Sequence, residues 1–280
     1  MGKDIQPYKI NWSKHYVIYP YEDNGRVLNE KLLKQKYPNI YHYLTKRRSD
    51  LEGREYFEKS KKLWFELWNQ RSFQKFKGEK IITLDNASKN SFAFDKDGFI
   101  GTTTTYSIVP RKEISIFGLL GLLNSSLMTF YHKKNTIPQA NGFYRYQRTF
   151  IKSFPIKKIE NNMEFFNSIG IISSMITSLT YAKEKINNHV PNFHIIQLFE
   201  DVIDAVVMEM YFKEDFENAG ITFIPYVIRD FAFPESNGNK LDIIHQSYQR
   251  LREKDNEIIN NLKLMDIKLA DIVGPIKTAR

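Results

Sequence analysis

The sequence predicts an α+β protein: a mixed, mainly antiparallel region with packed helices over residues 1–158, then an α-helical region over residues 159–280 that ends in a long amphipathic helix. Three observations carry this reading. Short runs rich in Tyr, Ile, Val and Phe, separated by turn residues, concentrate before residue 110. Apolar residues at three-to-four spacing dominate after residue 160. The charge also changes sign: residues 1–160 hold 29 Lys+Arg against 15 Asp+Glu, a net of +14, whereas residues 161–280 hold 12 against 17, a net of −5.

Taken in order, residues 4–23 read as short strands, and Asp23-Asn24-Gly25-Arg26 supplies a turn whose Asn-Gly favours positive backbone dihedrals. A helix over residues 28–37 is stopped by Pro38, and a longer helical region runs from residue 40 to about residue 69. Lys46-Arg47-Arg48 with Lys59, Lys61 and Lys62 give that region a basic face flanking Trp64 and Trp68. From Lys80 the pattern changes to strands: Ile81, Ile82 and Leu84, then residues 91–94, the Asp95-Lys96-Asp97-Gly98 turn, and residues 99–109 with the threonine run 102–105. They suggest an antiparallel meander. Residues 114–131 predict one core helix with Phe117, Leu120 and Leu123 on a shared face. Residues 133–148 are polar, contain Pro138 and Gly142, and predict a surface loop of the kind where binding groups concentrate.

Beyond Pro155, residues 163–187 and 194–212 predict apolar-faced helices. The last helix is read from Leu241, Ile244, Tyr248, Leu251, Ile258, Leu262, Met265, Leu269 and Ile272, with Asp255 in the one gap of the seam and Gly274-Pro275 as its stop. Such a seam packs against the preceding helices or against another chain. Glu200, Asp201 and Asp204 are expected on the solvent face of their helix.

A chain of 280 residues with 42% hydrophobic and 26% charged residues can bury a sizeable core. The basic part holds 27 of the 40 aromatic residues, which suits a polyanion that also offers flat bases. The plainer alternative is lysines that solubilise and aromatics that fill the core. With no cysteine there is no disulfide, thiolate zinc site or cysteine nucleophile, and a cytoplasmic protein is expected. The six histidines form no tight ligand pair, and His189 and His194 are read as solvent-edge residues. No apolar run reaches the roughly 18–20 residues that cross a bilayer, and the first residues lack a signal-peptide stretch. Asp255 with Asp266-Ile267-Lys268 matches a nuclease metal spacing only loosely.

One ordered set of segments carries more information than any bulk property. Leu119-Leu120-Gly121-Leu122-Leu123-Asn124-Ser125-Ser126-Leu127 is an apolar helix pattern ending in Asn-Ser-Ser. It is followed by the polar loop, by Gly142-Phe143-Tyr144-Arg145-Tyr146-Gln147-Arg148, and by a closing Phe154-Pro155-Ile156. Upstream lie Lys3-Asp4-Ile5-Gln6-Pro7-Tyr8, Tyr16-Val17-Ile18-Tyr19-Pro20, Pro38-Asn39-Ile40-Tyr41-His42-Tyr43-Leu44, Leu51-Glu52-Gly53-Arg54 and Trp64-Phe65-Glu66-Leu67. Lys80-Ile81-Ile82, Phe92-Ala93-Phe94-Asp95 and Thr105-Tyr106-Ser107-Ile108 then complete the series. In this order they resemble the TaqI-like C-terminal specificity, or target-recognition, domains of type II restriction-modification and adenine-specific DNA methyltransferase proteins, which are related to type I specificity subunits. The resemblance covers roughly residues 1–158.

It implies sequence-specific recognition of double-stranded DNA, with the duplex lying between this domain and a catalytic methyltransferase domain of the same parent chain. S-adenosylmethionine is expected in that catalytic domain. The parent is accordingly expected to be longer than this chain and to methylate adenine, with or without a fused nuclease. This chain has no Pro-Pro dipeptide for the Asn/Asp/Ser-Pro-Pro-aromatic motif that holds a flipped adenine, and no Gly-x-Gly, so it is expected not to be catalytic itself. Paired-donor side chains in loops suit base edges: Gln139, Asn141 and Arg145 form the first candidate set, and Ser88, Lys89 and Asn90 the second. Lys46, Arg47, Arg48, Lys133, Lys134 and Arg148 are the candidate phosphate contacts. Two other classes remain open at this point: an enzyme whose active site the motifs do not reveal, and a helical interaction module that dimerises through residues 241–272.

Overall fold

The computed structural model of the chain describes residues 4–55, 57, 59–68, 70, 76–101, 104–231 and 239–279. Ile5–Gln6 (β1) and Lys9–Ile10 (β2) pair antiparallel around buried Tyr8, whose left-handed φ of 62° is held in part by its N–H donating to the carbonyl of Phe92 at 2.8 Å. The chain then divides into two compact units, residues 14–79 with 97–100, and residues 1–13, 80–96 and 101–280.

In the smaller unit the predicted Asn24-Gly25 turn forms, with Gly25 at φ 86° and Tyr21 bridged to Val27. Glu30–Lys36 (α1) starts where the Asn29 side chain accepts the Leu32 N–H at 2.8 Å. Pro38 does not merely stop it but opens the next helix, Pro38–Thr45 (α2), where its missing N–H costs nothing. Arg48–Glu52 (α3) follows and ends at Gly53, so the long helix expected across residues 40–69 is not there. Arg54 replaces it as the organiser: its guanidinium donates to the carbonyls of Leu51 at 2.7 Å, Trp64 at 2.7 Å and Glu66 at 3.3 Å. Leu28, Leu33, Leu44, Trp64 and Phe65 form this unit's core.

In the larger unit Lys80–Leu84 (β3) is followed by Asn86–Ala87 (β4), Phe92–Asp95 (β5) and Thr105–Ile108 (β6). The sheet is antiparallel as expected, but its order is β5-β3-β6, so β6 lies on the far side of β3 and the strands are not a simple meander. Thr102 and Thr103 of the threonine run lie outside the described residues. Lys80 and Asp95 face each other across β3 and β5 as a fully buried ion pair.

The single helix expected over residues 114–131 is two, Ile116–Asn124 (α4) and Ser126–Asn135 (α5). Ser125 adopts an extended ψ of 155° and caps the second helix by accepting the Met128 N–H at 3.3 Å. The Asn-Ser-Ser motif therefore has a structural role. Asn124 accepts from the Phe92 N–H and donates to the Phe92 carbonyl, both at 2.9 Å, tying α4 to β5. The Ser126 N–H donates to buried Asp204 at 2.7 Å. Asp204 is thus an internal anchor rather than a solvent-face residue.

After Tyr144–Arg145 (β7) and Arg148–Ile151 (α6) come Met163–Tyr181 (α7), Asn192–Tyr211 (α8), Lys213–Ala219 (α9) and Ile224–Asp230 (α10). Helix α4 lies directly on α7. A Cβ on Gly118 would stand 2.6 Å from the Phe166 carbonyl oxygen and one on Gly121 would stand 2.5 Å from the Ile169 side chain, so the two helices approach through glycines.

The expected long terminal helix is three: Lys240–Leu251 (α11), Glu257–Lys268 (α12) and Ala270–Lys277 (α13). Asn256 makes the first break worthwhile by accepting the Ile259 N–H at 3.2 Å and donating to buried Asp230 at 2.7 Å. Gly274-Pro275 lies inside α13 rather than ending the helix before it. The seam residues Ile244, Tyr248, Leu251, Ile258, Met265 and Leu269 join one continuous core with Phe92, Leu120, Tyr146, Ile169 and Phe199. That core crosses residue 158 and packs residues from both sides of it together.

Candidate nucleic-acid interface

The two loops singled out in the sequence meet. Strands β4 and β7 pair antiparallel, with Asn86 opposite Arg145 and Ala87 opposite Tyr144. Tyr144 is also bridged to Pro138, and the Gln139 N–H donates to the Phe143 carbonyl at 2.7 Å, so residues 138–144 form a tight hairpin. Asn141 at φ 61° and Gly142 at φ 72° make its tip, a left-handed pair that few other residues accept at low cost.

Alternation along the ribbon sorts its side chains. Ala87 is buried and Tyr144 half-buried, whereas Asn86 and Arg145 are exposed. The Arg145 guanidinium makes no hydrogen bond or ion pair among the described residues. Asn141, Ser88 and Lys89 are exposed, and Gln139 is half-buried with its amide on the carbonyls of Ile137 and Pro138 at 3.3 and 3.5 Å.

Asn90, by contrast, faces the interior. Only 2% exposed, it donates to the Leu123 carbonyl at 2.6 Å and accepts from the Tyr146 hydroxyl at 2.9 Å. Tyr146, itself buried, donates its N–H to the Asp85 carbonyl at 2.7 Å. Burial pushes its phenol well above the usual range, so it stays a neutral donor.

Against its ring lies His132, with centroids 4.0 Å apart and planes at 20°, and Phe154 stacks on the histidine at 5.6 Å. Burial lowers the His132 pKa to about 4, opposed by a hydrogen bond with the Arg145 backbone. These inward groups fix the ribbon from beneath. No motif reveals His132, and the sequence suggests Asn90 as a base contact, because neither polar residue shows its role until Tyr146 is placed between them.

The cationic candidates fall into different states. Lys133 donates to the Ala279 carbonyl at 2.8 Å and lies 5.6 Å from the Tyr144 ring centroid, and burial, then the nearby Lys89 ammonium, lowers its pKa. Lys134 is exposed, over the Phe130 ring at 5.6 Å. Arg148, also exposed, lines a cavity of about 370 Å³ with Tyr106, Ile108, Leu119 and Phe154.

In the smaller unit Arg47 stacks 3.9 Å from the Tyr43 ring centroid. Arg48 pairs with Glu52 at 2.7 Å and Glu30 at 3.9 Å, and its hydrogen bond to Glu52 raises its pKa. Lys46 is exposed and unengaged among the described residues. Among those residues no group of three His, Cys, Asp or Glu is placed to hold a metal ion, and Asp266 is paired with Lys277. No described helix is long and apolar enough to cross a membrane.

An α+β scaffold that pins two polar loops into one ribbon, with paired donors outward and a neutral hydrogen-bonded network beneath, has the build of a recognition module. Residues 1–156 match the TaqI-like C-terminal specificity domain, more than half of the chain, and the chain belongs to that family. It is 28% identical over 154 residues to the type II methyltransferase M.BanIII of Aneurinibacillus aneurinilyticus, covering 52% of this chain and 26% of that protein. It is 32% identical over 139 residues to the type II methyltransferase M.MjaIV of Methanocaldococcus jannaschii, covering 48% of this chain and 45% of that protein. The chain therefore spans less than half the length of either relative. The family and these relatives support a specificity role in restriction-modification.

Proposed function

We propose that this chain reads the base sequence of duplex DNA for an adenine-N6 methyltransferase of a type II restriction-modification system. The observation that carries the reading is the Asn86–Arg145 pairing, which joins the two polar loops into one outward-facing ribbon above a buried support. Arg145 and Asn141 bring paired donors or acceptors suited to base edges, and Ser88 and Gln139 add polar groups beside them. Lys46, Lys89, Lys134 and Arg148 are exposed cations suited to phosphates, which would give affinity without sequence preference.

Methyl transfer is assigned to a catalytic domain of the parent protein that binds S-adenosylmethionine. This chain has neither Gly-x-Gly nor Pro-Pro, and no residue of it is assigned to that cofactor. Cytoplasmic location accords with the absence of cysteine.

The test is equilibrium binding of the chain to duplex DNA over a range of salt concentrations. Affinity is expected to fall steeply as salt rises, and Lys134→Ala is expected to lower the slope of log affinity against log salt by about one. Absence of duplex binding even at low salt would contradict the proposal.

A further inference from the structure

We propose that Asn86, which lies outside both loop sets suggested by the sequence, reads DNA together with Arg145 as a cross-strand pair, and that the recognised site therefore contains an A·T pair next to a G·C pair. This rests on the proposed DNA-reading function and specifies it. The two residues are direct partners in the β4–β7 register, and both are exposed. Side chains at such positions leave the same face of the ribbon with Cβ atoms roughly 5 Å apart. That separation is comparable to the ~3.4 Å step between stacked bases, so two side chains on one ribbon face can reach neighbouring pairs. A two-stranded ribbon is also one of the elements the major groove admits.

The chemistry of the two side chains is complementary. Asn86 donates one amide hydrogen to Asp85 at 3.2 Å, which orients the carboxamide and leaves its oxygen and second hydrogen available. Those are the groups that meet the N6 and N7 edge of adenine. The Arg145 guanidinium, with no partner among the described residues, presents the fork that meets O6 and N7 of guanine.

The backbone beneath is fixed by the Tyr146 N–H to Asp85 carbonyl bond at 2.7 Å and the Tyr146 hydroxyl to Asn90 bond at 2.9 Å. The ribbon therefore holds both side chains in one register, the condition for reading adjacent pairs rather than scattered ones. Lys89, Lys133 and Lys134, near the same ribbon, add positive charge but not the paired donor and acceptor that distinguishes one base from another.

The experiment is a selection by the full chain from duplex DNA with a randomised central segment, sequencing the bound fraction for the native protein and for Asn86→Ala, Arg145→Ala and Asn86→Arg. The native chain is expected to enrich a motif with an A·T pair beside a G·C pair. Asn86→Ala should lose preference at the A·T pair alone, by roughly 5- to 100-fold, and Arg145→Ala at the adjacent G·C pair alone. Asn86→Arg should move the preference at the first pair from adenine to guanine, a change that mere loss of structure does not produce. If Arg145→Ala relaxes one position while Asn86→Ala relaxes none, or relaxes one that is not adjacent, the paired readout is overturned and DNA reading stands. If the native chain enriches no motif, the proposed function itself is overturned.

Discussion

Arg145 and Arg48 are both exposed arginines in the basic part of the chain, and their surroundings differ in kind. Arg48 already has two carboxylates, Glu52 and Glu30, and lies 5.1 Å from the Trp64 ring centroid. Arg145 has no such partner among the described residues, yet its backbone is pinned by strand pairing to Asn86. A guanidinium that satisfies its own fold has less to offer a ligand than one held in place without a partner. Positive charge alone therefore does not mark the reading surface; a fixed backbone with an unspent donor set does.

The largest effect should come from untying α4 from β5. Asn124→Ala would leave the N–H and carbonyl of Phe92 without the two bonds they now make at 2.9 Å. A loss of about 2–4 kcal/mol in unfolding free energy is expected from denaturant titration. Arg145→Ala, which removes no hydrogen bond or ion pair among the described residues, should leave the same curve unchanged.

Next in size is the pH dependence contributed by His132. Its pKa is lowered from 6.5 to about 4 in the folded chain, so the unfolded chain takes up a proton first as pH falls. The contribution is fully present above the unfolded value and is lost as pH falls through that window, by roughly 3 kcal/mol at most. In His132→Phe the decline in stability across this interval should be shallower. An equal decline in both proteins would exclude His132 as its source.

The smallest effect compares neighbouring cations in the smaller unit. Lys46→Ala should lower the salt slope of duplex binding by about one, whereas Arg48→Ala, already engaged with carboxylates, should leave it unchanged. Equal slopes for the two variants would remove the distinction drawn between engaged and unengaged charges.

Much of this was legible in the sequence, and the exceptions share a cause. The recognition resemblance, the strands around Ile81 and Phe92, and the apolar helices after residue 160 follow from local pattern. The burial of Asp204 and the role of Asn90 do not, because their partners Ser126, Leu123 and Tyr146 lie far away in the sequence. A two-residue strand such as β4 is too short to show period two, so the outward position of Asn86 became visible only once β7 was placed beside it. The terminal seam misled in a different way: α11, α12 and α13 all face one core, so three-to-four spacing persists across breaks that interrupt the backbone.

The central claim is that the ribbon reads sequence while the surrounding cations supply affinity without preference. It is tested most directly by competition binding of the native chain, Arg145→Ala and Lys134→Ala to the selected duplex and its single-base-pair variants, beside a melting curve for each protein. Arg145→Ala should reduce discrimination by roughly 1–3 kcal/mol at one base pair with its melting temperature unchanged, and Lys134→Ala should weaken every duplex alike. An unchanged ranking of the variants by Arg145→Ala would contradict the account.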